Sequence, residues 1–244
     1  MSLTFPGYRR PDGRVGIRNH LLILSCDAYA NVVARRISQA VQPSVAVMHQ
    51  HGVNQAGEDA QQTFRTLAGT GHNPNVGACL VVGMGSGVVD PHALAEAIAR
   101  RGTPVEVLDI PAAGGSVRAI EVGKKLAERL REKVAQAKTE ECHVSDLIVA
   151  LECGGSDATS GMVSNPAVGA AADRVVWAGG TAMLSETTEI IGAEHILAAR
   201  AVNEEVAKRL LFIVDRFERR VLETGYDMRG GNPAPGNIKG GLST

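Results

Sequence analysis

The sequence predicts an α/β protein, in which a mostly parallel sheet with flanking helices is followed by part of a second α/β domain. Three observations support this. Short apolar runs alternate with longer segments of helical periodicity, the runs are nearly continuous rather than alternating, and polar or glycine-rich loops follow them. Continuous apolar strands belong to sheets covered on both faces, and strand–helix alternation implies right-handed βαβ units. The expected arrangement is Rossmann-like, with three layers.

Strands are expected at residues 21–25, 45–49, 78–84, 105–110, 146–152 and 181–185, and helices at 31–41, 58–69, 91–101, 116–138 and 166–178. A last long helix is expected over 195–224. It carries a stripe of Ile196, Val202, Val206, Leu210, Ile213, Phe217 and Val221, with Gly225 as its stop. The charged, apolar-poor stretch 133–143 reads as a linker, which divides the chain into domains at residues 1–138 and 144–244. The second half has only two strands, too few to close its own sheet. The Gly/Pro/Asn-rich tail 230–244 offers no further element, so that half is expected to be incomplete or finished by a partner chain.

The chain has 244 residues, enough to bury a substantial core. A formal net charge of -1 leaves no basic stripe for phosphates, and 3% aromatic residues leave few stacking platforms, so nucleic acid is not expected as a partner. No apolar run reaches the roughly 18 residues a membrane span requires. Cys26, Cys79, Cys142 and Cys153 lack CxxC spacing and no secretory leader precedes them, which reads as a cytoplasmic location.

Ligands of open parallel sheets bind beyond the carboxyl ends of the strands. The informative loops are therefore His49-Gln50-His51-Gly52, the turn 83–87, the segment 152–161 and Glu186-Thr187-Thr188-Glu189. In Glu152-Cys153-Gly154-Gly155-Ser156-Asp157 the glycines are expected to expose amides as an anion nest. Cys153 offers a metal ligand there, and Glu152 or Asp157 an acid or base. His49 and His51 share one face of an extended segment, as metal ligands or as a base and its partner. Glu186 and Glu189 are oxygen ligands or a base, whereas Glu194 reads as a helix-start charge. The turn 83–87 lacks the spacing and ribose carboxylate of a dinucleotide loop and reads as exposed amides for a substrate carboxylate. Among the early cations Arg18 is the better candidate for holding a carboxylate, and Arg9 and Arg10 read as solvated loop charge.

These residues carry a resemblance. Gly13-Arg14-Val15-Gly16-Ile17-Arg18-Asn19, His49-Gln50-His51-Gly52, Pro74-Asn75-Val76-Gly77-Ala78, the 152–157 loop, Ser164-Asn165-Pro166, Ser185-Glu186-Thr187-Thr188-Glu189 and the Asn232–Gly241 segment, in this order, resemble the altronate/galactarate dehydratase family, which includes sulfolactate sulfo-lyase large subunits. The resemblance covers nearly the whole chain. It makes 1–138 similar to the family's second domain and 144–244 similar to the first part of its C-terminal domain.

The resemblance implies a metal-dependent hydro-lyase acting on a sugar acid such as altronate or galactarate, with Fe2+ or another divalent metal. Two alternatives are a sulfolactate sulfo-lyase subunit and a non-catalytic, ligand-binding or accessory paralogue without the metal. The residues implied as catalytic are His49, Glu152, Asp157 and Glu186. Those implied as substrate-binding are Arg18, Asn19, Asn31, Gly154, Gly155, Ser156, Asn165, Asn237 and Lys239, and those implied as metal ligands are Cys153, His51 and Glu189. Three departures stand against this. Tyr29, Val53 and Ser86 occupy positions where the family commonly has cysteine. The family's small β-rich N-terminal domain, elsewhere a separate subunit, is absent, and family chains continue past the Lys239-Gly240-Gly241 segment. A homo-oligomer, a separate small subunit or a further C-terminal segment is accordingly expected to complete the protein.

Overall fold

The computed structural model describes residues 3–85, 87–229 and 233–242. It divides into two compact units, Met1–His143 and Val144–Thr244. None of the described helices is long and apolar enough to cross a membrane.

The first unit is built on four parallel strands, β3 (His20–Ser25), β4 (Val45–Val47), β5 (Val76–Gly83) and β6 (Val105–Asp109), in the spatial order β4-β3-β5-β6. Successive side chains of a strand face opposite sides of a sheet. Leu21 and Ile23 accordingly join one core with Ile37, Leu80 and Leu130, under α1 (Asn31–Ala40) and α4 (Ser116–Ala135). Leu22 and Leu24 join a second core with Val81, Leu94 and Ile98, under α2 (Gly57–Gly71) and α3 (Pro91–Ala99). The continuous apolar runs thus fill both faces, as the sequence predicts. Strand order reverses between β3 and β5, so the crevice favoured for ligands opens at their carboxyl ends.

The stretch expected as a linker behaves differently. Its first residues complete α4, and β7 (Glu140–His143) pairs antiparallel with β1 (Thr4–Arg9), which also pairs with β2 (Val15–Gly16). The signal was weak because β7 is exposed at three of its four residues, with only Cys142 buried. Arg9 ties the pair further through an ion pair with Glu140 at 2.5 Å.

In the second unit β8 (Ile148–Leu151) and β9 (Thr181–Leu184) pair in parallel. They are joined by a single π-type turn over Ser160–Ser164 and by α5 (Asn165–Trp177). The long helix expected over 195–224 is two: α6 (Glu194–Ala199) and α7 (Glu204–Leu222). Asn203 breaks it, because its side chain accepts the Val206 N–H at 2.9 Å and caps the second helix from an extended backbone. Gly225, at φ 83°, stops α7 as expected. The tail holds a short helix, α8 (Pro235–Lys239), where none was expected. Val214 is the only buried apolar residue of this unit among those described, whereas Ile148, Met183, Leu184 and Phe212 are exposed.

Candidate functional site

The site of the second unit is made by strand ends. Leu151 and Leu184 are partners in the parallel register, so the residues that follow them leave the sheet side by side. The Ser185 hydroxyl donates to the Leu151 carbonyl at 2.8 Å and the Cys153 N–H donates to Glu186 Oε2 at 3.0 Å, tying the two loops together. Glu186 sits at φ 59°, ψ 82°, and is the only non-glycine at positive φ among the described residues. A side chain held in this left-handed region costs roughly 1–2 kcal/mol, a strain that concentrates at functional positions.

The turn at Glu186 brings its carboxylate to Cys153 and Glu189. The thiol sulfur and one oxygen of each carboxylate lie within 4.8 Å of one another, and all three residues are exposed. One sulfur and two carboxylates form a mixed soft and hard donor set that suits Fe2+, Mn2+ or Zn2+, and the open side leaves positions for further ligands. The chemistry of these donors therefore fits a divalent metal. Cys153 and Glu189 were both expected as ligands, and the third member of the group is Glu186, expected as an oxygen ligand or a base and counted among the catalytic residues. His51 belongs to the first unit, with its ring edge-on to His49 at 5.7 Å between centroids.

The rest of the 152–161 loop is organised from within. Asp157 Oδ1 accepts from the Thr159 hydroxyl at 2.6 Å and the Ser160 N–H at 2.9 Å, and these bonds hold its carboxyl below the usual carboxylate range. Asp157 is therefore a cap for the segment that follows, a poor fit to the acid or base role expected of it. The Asn237 side chain donates to the Ser156 carbonyl at 2.9 Å, and Ala158 N–H donates to the Gly240 carbonyl at 3.0 Å, docking α8 on the loop. Lys239 lies in the last turn of that helix. The anion nest expected of these glycines lacks a left-handed residue. Neither Gly154 nor Gly155 has positive φ, and a Cβ on either meets open space, so the pair leaves the backbone accessible without curling it around an anion. Glu152 is exposed beside Cys153, and Asn165 is exposed at the start of α5.

In the first unit His49 is buried at the end of β4. The Asn31 side chain clasps its backbone, donating to the His49 carbonyl at 2.7 Å and accepting its N–H at 2.9 Å. Asn31 thus positions the histidine turn, and both ends of its amide are occupied. His49 Nδ1 lies 2.9 Å from the His51 N and 2.8 Å from the His51 carbonyl oxygen, and burial lowers the imidazole pKa, which favours the neutral ring.

Arg18 and Asn19 precede β3 and lie at the opposite, amino-terminal edge of this sheet. Asn19 accepts from Arg10 at 2.9 Å and donates to the Val134 carbonyl at 2.8 Å, which ties its amide up in packing. Arg10, expected as solvated, is half-buried and also donates to the carbonyls of Pro74 at 2.7 Å and Arg18 at 3.1 Å.

Of the positions that carry cysteine in the resembled family, Tyr29 and Val53 are exposed and Ser86 lies outside the described residues. Sequence reasoning missed Asp27. It is buried at the switch point, accepts from the N–H groups of Tyr29, Ala30 and Met84, and ties the end of β3 to the 83–87 turn. Its only signal was a carboxylate directly after a buried strand.

Two strand-end sites, one on a doubly covered parallel sheet and one gathering a thiol with carboxylates, define an α/β protein with the makings of an enzyme. The family follows from comparison with known proteins. Residues 7–135 match the model of the D-galactarate dehydratase/altronate hydrolase second domain, and residues 144–244 match that of the D-galactarate/altronate dehydratase C-terminal domain. The chain belongs to the D-galactarate/altronate dehydratase family. It is 38% identical over 242 residues, 99% of its length, to the (2R)-sulfolactate sulfo-lyase subunit beta of Chromohalobacter salexigens, and covers 61% of that protein. It is 37% identical over 266 residues to galactarate dehydratase (L-threo-forming) of Escherichia coli, covering 98% of this chain and 50% of that one. Altronate dehydratase of Bacillus subtilis is 32% identical over 251 residues, with 99% and 50% covered. The chain thus spans about half to three-fifths of the length of these relatives.

Proposed function

We propose that this chain carries part of the active site of a metal-assisted lyase that removes water from a sugar acid. The observation behind this is the convergence of Cys153, Glu186 and Glu189 at the carboxyl ends of two parallel strands. Glu152 and Asp157 stand in the same loop, so the site is acidic and would repel an anionic substrate on its own. Cys153, Glu186 and Glu189 would hold a divalent cation, which when bound supplies positive charge and Lewis acidity for the substrate oxygens.

The elimination itself is a proton-transfer problem. The carbon beside the carboxylate loses its proton, and the C–H electron pair becomes a C=C bond. The hydroxyl on the next carbon leaves, protonated to water, and the enol becomes a keto acid. Glu152, exposed next to Cys153, is assigned the proton removal. Glu186 is held by the Cys153 N–H in ligand position and Asp157 is committed to capping, which leaves Glu152 for this task. Lys239, on a helix docked to the loop by Asn237, offers an ammonium for the substrate carboxylate.

A second reading is favoured by the 38% identity, over 99% of this chain, to a sulfo-lyase subunit beta. The leaving group is then sulfite from a sulfolactate, released by the same proton removal, and a separate subunit completes the enzyme. Purified protein loaded with Fe2+ and offered galactarate, altronate or sulfolactate tests both. Keto-acid formation that falls by at least a hundredfold in Cys153→Ser and Glu186→Gln supports the lyase site, and sulfite release selects the second reading. Turnover indifferent to both substitutions, or a chain that neither binds metal nor turns over even with a small-subunit partner added, sinks the proposal in favour of an accessory role.

A further inference from the structure

The outer face of α7 takes no part in the lyase reading. Residues seven and eleven apart return to nearly the same line of an α-helix. Arg209, Arg216 and Arg220 therefore form one line along α7, over about 16 Å. Val206, Ile213 and Phe217 repeat at the same spacing as a second line beside it, and Phe212 stands on the other side of the arginines. All are exposed, the four apolar side chains by 37 to 56%.

The charges of this helix divide by face. On the flank beyond Phe212, Lys208 pairs with Glu204, Arg219 with Asp215, and Arg229 reaches back to Glu218. Leu211 and Leu222, also exposed, lie on that flank among the paired charges. Arg209, Arg216 and Arg220 make no ion pair among the described residues, and Glu205 and Glu223, the remaining carboxylates of this stretch, lie toward its two ends. The Arg216 guanidinium stands 6.0 Å from the centre of the Phe212 ring, a cation–π contact that holds it in line. The net charge of -1 conceals this line, because carboxylates elsewhere balance it.

The order of the lines selects the occupant. A helix lying on a membrane sinks one continuous apolar face and keeps its cations at the rim. Here the cations run between apolar side chains, so neither flank can enter acyl chains without drawing the guanidinium line in with it. A nucleic-acid backbone would engage the arginines and leave Val206, Ile213 and Phe217 in water. A second copy of this face would set arginine against arginine. A protein helix with carboxylates beside an apolar row matches both lines, since guanidinium forks take carboxylates in bidentate pairs and helical spacing keeps the two sets in step.

We propose that this face of α7 docks an acidic amphipathic helix of a partner protein. The partner's carboxylates lie on Arg209, Arg216 and Arg220, and its apolar side chains on Val206, Ile213 and Phe217. The face lies wholly in the second unit, and the inference does not depend on the lyase reading.

The test is a protein-observed NMR titration of the full chain with a helical peptide of about 20 residues. The peptide carries Glu at the spacing of the arginines, beside a row of Leu. A peptide with Lys for each Glu, vesicles of phosphatidylserine and phosphatidylcholine, and a single-stranded oligonucleotide serve as comparisons. The acidic peptide is expected to shift the α7 amides along one saturable curve, with every comparison at least tenfold weaker. Arg216→Gln should weaken the acidic peptide by about two- to fivefold without lowering the melting temperature, because no ion pair is lost. Arg209→Glu, Arg216→Glu and Arg220→Glu together should weaken it at least tenfold and turn the preference to the lysine peptide. If that triple variant does not fold, the single variant and a loss of affinity with added salt decide the matter. No saturable shift on α7, vesicles or oligonucleotide bound as tightly as the peptide, or wild-type affinity in Arg216→Gln overturns the proposal. Turnover is not read, so failure of the lyase reading leaves this result intact.

Discussion

Glu186 combines strain with a proposed ligand, and the two separate by substitution. Its φ of 59° places a β-carbon in the left-handed region, where a non-glycine residue pays roughly 1–2 kcal/mol. Glu186→Ala and Glu186→Gly both lose the bond from the Cys153 N–H and both lose the carboxylate, so those losses cancel between them. They differ in backbone cost alone. Glycine escapes the penalty but gives back about 0.5–1 kcal/mol in unfolded-state freedom. The glycine variant should therefore be the more stable of the two by about 0.5–1 kcal/mol, a melting difference of about 1–4 °C for a chain of this size. The assay is thermal and urea denaturation of metal-free protein, paired with Co2+ titration followed by the thiolate charge-transfer band. Both variants should lose Co2+ binding alike. An alanine variant as stable as the glycine variant, or a glycine variant that still binds Co2+, refutes the assignment of strain and ligation to this residue.

Other predictions concern the first unit. Burial lowers the His49 and His72 pKa values from the ordinary 6.5, so the unfolded chain binds protons that the folded one does not. Stability is then full above pH 6.5 and falls as pH drops from there toward the lowered values. His49→Gln should flatten part of that slope in denaturation at pH 5–7, leaving the share from His72, and an unchanged slope contradicts the placement of His49. Gly16→Ala should destabilise by about 2–3 kcal/mol in urea melts, since its Cβ would stand 2.0 Å from the Pro74 carbonyl oxygen, a backbone atom with nowhere to go. Arg10→Lys should cost about 1–3 kcal/mol, because an ammonium cannot reproduce the fork that reaches Pro74, Asn19 and Arg18 together. A variant with wild-type stability denies that clamp.

The core strands were legible because burial on both faces writes itself as an unbroken apolar run. Expected and observed strands therefore differ by only one or two residues at their ends. β1, β2 and β7 were not legible. They are short or half-exposed and carry charges and a proline, and long-range pairing rather than local composition makes them strands. The same limit explains Gly16 and Arg10. A segment rich in glycine and arginine reads as a loop of ligand-holding and solvated charge, yet its Gly16 is a close backbone contact and its Arg10 a packing clamp. Which role a polar residue takes depends on what stands across from it.

The sequence by itself determined the α/β class, the strand-end loops and the presence there of Cys153, Glu186 and Glu189, because parallel strands deliver their following residues to one edge. Tertiary structure decided the grouping. The register of β8 with β9 and the left-handed turn at Glu186 put three donors within 4.8 Å. Internal hydrogen bonds engage Asp157, Asn19 and Asn31 within the fold, and Gln55 keeps an oxygen without a partner among the described residues. Composition supplies donors and acceptors, but only the folded chain determines which of them are already spent.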